Sequence, residues 1–438
     1  MTDFYDGLET RPAAQREANL MAALPGHVAG AQRATSAFAE LLAGVSASAV
    51  SSRAALAKLP VLRKHALLDR QKALREQAVS SASAHEPSAH EGALHEPFGG
   101  FSAIGWRGLR AGQGARRVFQ SPGPIYEPEG QASDYWRMAR AIFAAGLRAN
   151  DLAHCSFSYH LTPAGAMMEG GAHAVGCTTF AGGIGNTELQ LQAIADLRPQ
   201  GYIGTPSFLK ILVEKAAETG VSLAFMTKAM VGGEAFPPSL RDWLIERGIQ
   251  AYQSYATADA GLIAYETSAR EGLVLDESIV LEIVRPGTGD PVADGEVGEV
   301  VVTVLNPDYP MVRFGTGDLS AVMAGPCPTG RSNTRIKGWL GRADQTTKVR
   351  GMFVHPSQVA EVLRRHAEIG RARLVIEGEM ANDRMTLRIE VAGAPDGLAN
   401  AVAGSVRDIT KLRGDIELVA PGSLPNDGKV IEDARSYA

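Results

Sequence analysis

Between Arg11 and Ala78 the chain is rich in alanine, with Leu56, Leu59, Val61, Leu62, Leu67 and Leu68 at mixed spacings around Pro60. That pattern predicts helices with a break at the proline. Further on, Trp136, Ala139, Ile142, Phe143 and Leu147 fall on one side of a predicted helix. Thr187 followed by Gln190 predicts a capping box that opens another. In YIGTPSFLKILVEKA a short apolar strand leads to Thr205 as N-cap and Pro206 as the first helical residue. Strand, turn and helix alternate in this way through the middle of the chain, the pattern of an α/β sheet with covering helices. From Leu273 to Asn306 the pattern turns β-rich, with turns at Gly287-Thr288-Gly289 and Asp294-Gly295. Past Asp344 the order is helix, two strands, helix, strand, the sequence of a small α+β unit. The expected fold is therefore α/β: a large N-terminal domain, 1–344, with mixed sheets and covering helices, and a small C-terminal α+β domain, 345–438.

Length and composition add bounds. A chain of 438 residues has room for two or three domains. The net charge of -5 is too mild to imply a nucleic-acid or membrane partner. Cys155, Cys177 and Cys327 lie far apart without a C-x-x-C pair, which argues against a disulfide framework or structural zinc. The start, MTDFYDGLETR, is acidic and lacks an apolar core, so no signal peptide is expected there. No apolar run reaches transmembrane length. A cytoplasmic protein is the expectation.

Candidate chemistry concentrates in Met311–Pro356. Asp318 follows Thr316-Gly317, and a carboxylate in a Gly-rich turn suits the two hydroxyls of a ribose, because it accepts both hydrogen bonds. Arg342, in Gly341-Arg342-Ala343-Asp344, supplies fixed donors for ribose or phosphate oxygens. A basic, Gly-containing run with Lys348, Arg350 and Gly351 follows. Upstream, Gly232-Gly233-Glu234 ends a predicted strand, where glycines let a planar ligand approach the backbone. The repeat His-Glu at 85/86, 90/91 and 95/96 invites a metal reading. A step of five turns about 140° around a helix, however, and reverses face on a strand, so a solvated insertion is the plainer reading.

These stretches, with LAKLPVLRKHALLDR near the start, resemble the adenylate-forming superfamily of acyl-CoA synthetases, adenylation domains and luciferases, in its phenylacetate–CoA ligase branch. The resemblance implies an AMP-binding domain with a mobile C-terminal lid. It implies that Gly233 and Glu234 abut the adenine, and that Ser254, Tyr255 and Thr257 serve the adenine and α-phosphate. It further implies that Asp259 holds Mg2+, Asp318 binds the ribose and Arg342 contacts ribose or phosphate. Phe157, Tyr159, His160 and Thr162 match the segment lining the acyl pocket. Lys429 matches the C-terminal lysine that assists adenylation, Asp344 the hinge, and Lys348 the face that enters for thioester formation. Ser121, Gly123 and Pro128 match the family's phosphate loop, but Pro122 and Pro124 have no N–H to donate and Glu127 stands where the family has lysine. This is either a turn that has lost phosphate binding or a loop that covers ATP by another geometry.

The function so implied is an AMP-forming ligase. It activates an aromatic or related carboxylic acid with ATP and Mg2+, then passes the acyl group to coenzyme A. The alternatives are an adenylating enzyme with another acceptor and a binding module that does not use ATP. A homodimer is a family-level expectation.

Overall fold

The computed structural model describes residues 3–82, 97–105, 114–343, 347–354, 356–378, 382–393, 395–425 and 429–435. The His-Glu repeat and Asp344 lie outside the described residues. The chain divides into two compact units: Met1–Phe236 with Leu240–Gly341, and Pro237–Ser239 with Arg342–Ala438.

The first unit opens with helices, as the alanine-rich stretch predicts. Leu20, Leu24, Val28 and Ala31 recur at helical spacing along Ala13–Ala34 and are buried. They pack with the strands Ile279–Val284, Gly298–Val304 and Met311–Ser320 in one core cluster. Gly298–Val304 is buried throughout, which suits its β-branched run Val300-Val301-Val302-Thr303-Val304. The short strand Leu62–Arg63 runs parallel to Met311–Ser320, with Arg63 opposite Gly315. Its end launches the helix Lys64–Ala82.

In that first helix the His27 ring is half-buried with Nε2 sealed from solvent and without a hydrogen-bond partner. Burial lowers its pKa to about 4. Below the ordinary imidazole value the unfolded chain takes up a proton that the folded chain refuses. Stability is therefore lost as pH falls from 6.5 towards 4, by at most about 3 kcal/mol. Urea unfolding of His27→Leu across that range should show a shallower pH dependence than the wild type.

The second sheet of this unit has nine strands. Thr178–Ala181, Leu152–Cys155, Gly201–Gly204, Lys228–Gly232 and Gln250–Thr257 are mutually parallel, and Gly261–Glu266 turns back antiparallel. The predicted Thr205 cap and Pro206 start hold, the Thr205 side chain accepting from the Phe208 N–H. The capping box does not. Thr187 is already helical, the helix Thr187–Leu197 has no side-chain cap, and the Gln190 amide reaches His154, Ser156 and the carbonyls of Gly183 and Gly185 instead. Those buried polar groups need the amide more than the helix end does. The helix expected around Trp136 covers only Ala139–Ala144, and Arg137 stands at positive φ just before it.

The second unit has its own core, including Val349, Val359, Leu374, Leu387, Val402 and Ile431. Its sheet runs Asp415–Val419, Arg384–Val391, Ile369–Glu377, Ile431–Asp433. The helices Pro356–Arg365 and Leu398–Thr410 fall on the predicted stretches. Among the described residues no helix is long and apolar enough to cross a membrane.

Candidate nucleotide site

In open α/β sheets ligands gather beyond the carboxyl ends of the strands, where the strand order reverses. Here the order reverses at Leu152–Cys155, flanked by Thr178–Ala181 on one side and Gly201–Gly204 on the other. Its carboxyl end leads directly into the predicted acyl-pocket segment. Phe157 is buried, and Tyr159, half-buried, donates its hydroxyl to Glu169 Oε2 at 3.1 Å. Both join one apolar cluster. Thr162 is half-buried, but His160 is exposed. The exposed ring follows from its place: the His160 N–H and carbonyl are both tied to the Ser158 hydroxyl, which turns the chain at the surface.

Two strands on, the chain ends in Gly232-Gly233-Glu234. Gly232 lies opposite Ser254, and a Cβ there would stand 2.9 Å from the Ser254 hydroxyl oxygen, so the close approach requires glycine. Ser254 is buried and its hydroxyl faces the Met230 sulfur at 3.1 Å. Gly233 has φ +79°, in the region that favours glycine. Glu234 Oε1 accepts the Ser207 N–H at 2.7 Å, so this carboxylate caps the helix Pro206–Thr219 from outside.

Next to it, Gln250–Thr257 carries Tyr255 to the ribose candidate. The Tyr255 hydroxyl donates to Asp318 Oδ2 at 2.8 Å and lies 3.0 Å from the Thr316 hydroxyl. The Asp318 N–H donates to Thr316 Oγ1, and Trp339 Nε1 donates to Asp318 Oδ1 at 3.1 Å. Two residues chosen separately from the sequence, Tyr255 and Asp318, thus meet side chain to side chain. Trp339 was not foreseen, although its place between Gly338 and the Gly341-Arg342 pair was the available signal.

Beyond Thr257 the chain turns sharply. The Thr257 hydroxyl accepts the Ala260 N–H at 3.0 Å, and the turn holds Asp259 in the interior. Asp259 Oδ2 pairs with Lys64 Nζ at 2.7 Å, whereas Asp259 Oδ1 is buried without a hydrogen-bond partner. A lysine at the first position of the helix Lys64–Ala82 opposes the helix dipole, and Asp259 offsets that cost. That violation of the charge preference is the sequence signal for Lys64.

The phosphate-loop stretch is an antiparallel hairpin, Arg117–Ser121 against Ile125–Glu129, with Ser121 opposite Ile125 and Pro122-Gly123-Pro124 at the tip. It is held on both edges. The Gln71 side chain takes both the N–H and the carbonyl of Tyr126, at 2.8 and 2.9 Å, and the Gln120 N–H donates to the Leu161 carbonyl at 2.8 Å. With prolines on either side of Gly123, the tip has no run of N–H groups with which to cradle an anion. Ser121 is buried in the ladder. Glu127 is also buried, and burial first, then the Asp259 charge, push its carboxyl up to about 8. Lys64 and Ser121 pull the other way, yet neither Glu127 oxygen meets hydrogen-bond geometry with any partner.

Arg342, Lys348 and Lys429 belong to the second unit. Lys348 is half-buried in the hairpin Thr347–Val349 and Met352–Val354, whose turn contains Gly351 at φ +82°. Lys429 is exposed just before the strand Ile431–Asp433. Two surface clefts of the first unit, about 290 and 580 Å³, hold none of the predicted site residues. The chemistry around Asp318 and Asp259 therefore marks the site better than either hollow does.

Comparison with known proteins bears on the family and the fold. Residues 137–304 match the AMP-binding enzyme family. A phenylacetate–coenzyme A ligase of Thermus thermophilus is 31% identical over 264 residues, covering 58% of this chain and 59% of that protein. One of Pseudomonas putida is 29% identical over 310 residues, covering 67% and 70%. The match thus spans about three fifths of the Thermus relative's length. A crystal structure of 2-hydroxyisobutyryl-CoA ligase, in complex with 2-HIB-AMP and CoA, superposes with a TM-score of 0.81 at 24% identity, over 100% of this chain and 93% of that one. Residues 137–304 thus carry the AMP-binding enzyme match, and the chain has the fold of that CoA ligase structure.

Proposed function

We propose that the protein is an AMP-forming ligase that activates an aromatic or related carboxylic acid and transfers it to coenzyme A. The observation that carries the reading is the Tyr255–Asp318 contact, which joins the predicted adenine and ribose groups at the carboxyl ends of the strands. The matched relatives, named phenylacetate–coenzyme A ligases, support the acid and thiol classes.

A carboxylate is a poor electrophile; its attack on the α-phosphate of ATP would expel pyrophosphate and give an acyl-adenylate, from which the coenzyme A thiol would displace AMP. Asp318 would accept the ribose hydroxyls, exchanging part of its bonding to Tyr255 and Trp339. Gly233 and the face of Tyr255 would bound the adenine, with Glu234 holding that turn rigid against the helix Pro206–Thr219. Thr257 has a hydroxyl hydrogen to offer an α-phosphate oxygen, and Phe157 and Tyr159 offer an apolar wall with a polar edge. Asp259 suits Mg2+, because its buried Oδ1 lacks a partner and is a hard oxygen ligand. Mg2+ there would neutralise phosphate charge. From the small unit, which we read as a lid, Arg342 would contact the ribose or phosphates and Lys429 would offset α-phosphate charge. Lys348 and the Gly351 turn would belong to the face used for thioester formation, with the hinge at Asp344.

The direct test incubates the protein with ATP, Mg2+, coenzyme A and a panel of aryl and short acids, and reads acyl-CoA by mass spectrometry. An acid-dependent product is expected, and pyrophosphate release without acyl-CoA would point to another acceptor. Lys429→Ala should slow adenylate formation by about 10²–10³-fold, as loss of a single transition-state charge partner does. Conversion of pre-formed acyl-adenylate to thioester should change little, and single-turnover kinetics separate the two.

One observation favours a second reading. The proline-tipped hairpin with buried Glu127 offers a triphosphate no N–H cradle. A binding module built on this site would bind AMP and leave ATP unused.

A further inference from the structure

We propose that Arg137 is a positioning residue of the nucleotide site, fixing the turn 257–261 so that the Thr257 hydroxyl is held ready for an α-phosphate oxygen. The proposal rests on the nucleotide-site reading for the identity of the ligand; the clamp itself is local geometry. Arg137 Nη2 donates to the carbonyls of Ala260 and Leu262, the latter at 3.2 Å. The preceding carbonyl, of Trp136, accepts the Leu262 N–H at 2.9 Å. Two consecutive residues thus hold the chain on both sides of Gly261. A Cβ on Gly261 would stand 2.9 Å from the Trp136 carbonyl oxygen, so the approach leaves no room for a side chain there.

The clamp has a cost and a support. Arg137 stands at φ +63°, a left-handed backbone that a residue with a Cβ adopts only at the expense of free energy. Such strain persists where the surroundings over-determine it, and it gathers at functional sites. The support here is Asp276, which is wholly buried. One of its oxygens takes the Arg137 Nε–H at 2.9 Å, and the other takes the Arg140 guanidinium at 2.8 Å. With Nε tied to Asp276, the planar guanidinium can aim its far arm only at the turn. A lysine has no second arm with which to do both. The effect reaches Thr257 through Ala260, whose carbonyl is held by Arg137 and whose N–H donates to Thr257 Oγ1 at 3.0 Å. A hydroxyl that accepts in this way still carries one hydrogen to donate. Without the clamp Ala260 is free to rotate, and the contact that orients the Thr257 hydroxyl goes with it.

The test compares AMP with adenosine by titration calorimetry, on the full-length protein in EDTA. The ratio of the two affinities isolates what the α-phosphate contributes. Arg137→Lys should cut that ratio by about tenfold, the worth of one hydrogen bond to a charged group, while adenosine binds as before. Arg140→Lys is the control. It disturbs the same buried Asp276 but touches neither carbonyl of the turn, so it should lower the melting temperature and keep the ratio. Arg137→Gly removes the guanidinium and relieves the left-handed strain, so it stands in if Arg137→Lys does not fold, and it should cut the ratio likewise. An unchanged ratio in the Arg137 variants, or an equal fall in Arg140→Lys, overturns the proposal and leaves the nucleotide-site reading intact. A wild-type protein that binds AMP no more tightly than adenosine overturns the phosphate role of the turn itself, and the proposal with it. The two failures are thus told apart, and neither readout needs an acid or ATP turnover.

Discussion

Replacing Asp318 by alanine is expected to weaken AMP binding by about 10²–10³-fold. The buried carboxylate already gathers the Tyr255 hydroxyl and the Trp339 indole N–H, one on each oxygen. A carboxylate accepts through both oxygens, so two ribose hydroxyls can take over part of the bonding now made to Tyr255 and Trp339. Hydrogen bonds to a charged group are each worth about 1.5–3 kcal/mol, and losing two gives about 3–4 kcal/mol after solvent replaces part of the contact. Titration calorimetry with AMP measures this directly. Asp318→Asn retains one acceptor oxygen and should fall between wild type and alanine. The alanine variant should also melt earlier, since Tyr255 and Trp339 lose their acceptor. Unchanged AMP affinity would remove Asp318 from the site.

Restoring the lysine of the family's phosphate loop, by Glu127→Lys, is expected to damage the protein rather than repair it. From sequence alone the change reads as a return of phosphate binding. In the structure position 127 is buried, and Asp259, whose charge acts on it, is already paired with the Lys64 ammonium. An uncompensated buried charge costs about 3–5 kcal/mol. Urea unfolding should show a loss of that order, and pyrophosphate release should not rise. Glu127→Gln, which removes charge without adding any, should unfold at least as late as wild type at pH 8 and above. A well-folded Glu127→Lys protein with faster pyrophosphate release would return the hairpin to the role of a phosphate loop.

Much of this arrangement was legible in the sequence because its signals are local. The cap at Thr205 with Pro206, the β-rich stretch Leu273–Asn306 and the helices and strands expected past Asp344 each follow from short-range patterns, and each stands where expected. Tyr255 and Asp318 were legible through resemblance, but their hydrogen bond was not, since it joins strands of two different sheets. The same limit hid Lys64. It lies 195 positions from Asp259, and only the parallel pairing of Leu62–Arg63 with Phe314–Gly315 sets the start of its helix beside the site. The failed capping box at Thr187 has a related cause. Gln190 had a local use that the sequence shows and a distant one, His154 and Ser156, that only the fold reveals. The exposure of His160 was not legible either, because its motif position gives no information about which way the chain turns after Tyr159.

The central claim, that this site makes acyl-adenylate from ATP, is tested most directly by exchange of labelled pyrophosphate into ATP. The full-length protein, Mg2+ and the acid panel are used without coenzyme A. The account predicts exchange that depends on both the acid and Mg2+, and that is lost in Asp318→Ala. AMP binding without exchange for any acid would contradict it, leaving a nucleotide-binding fold whose proline-tipped hairpin no longer serves a triphosphate.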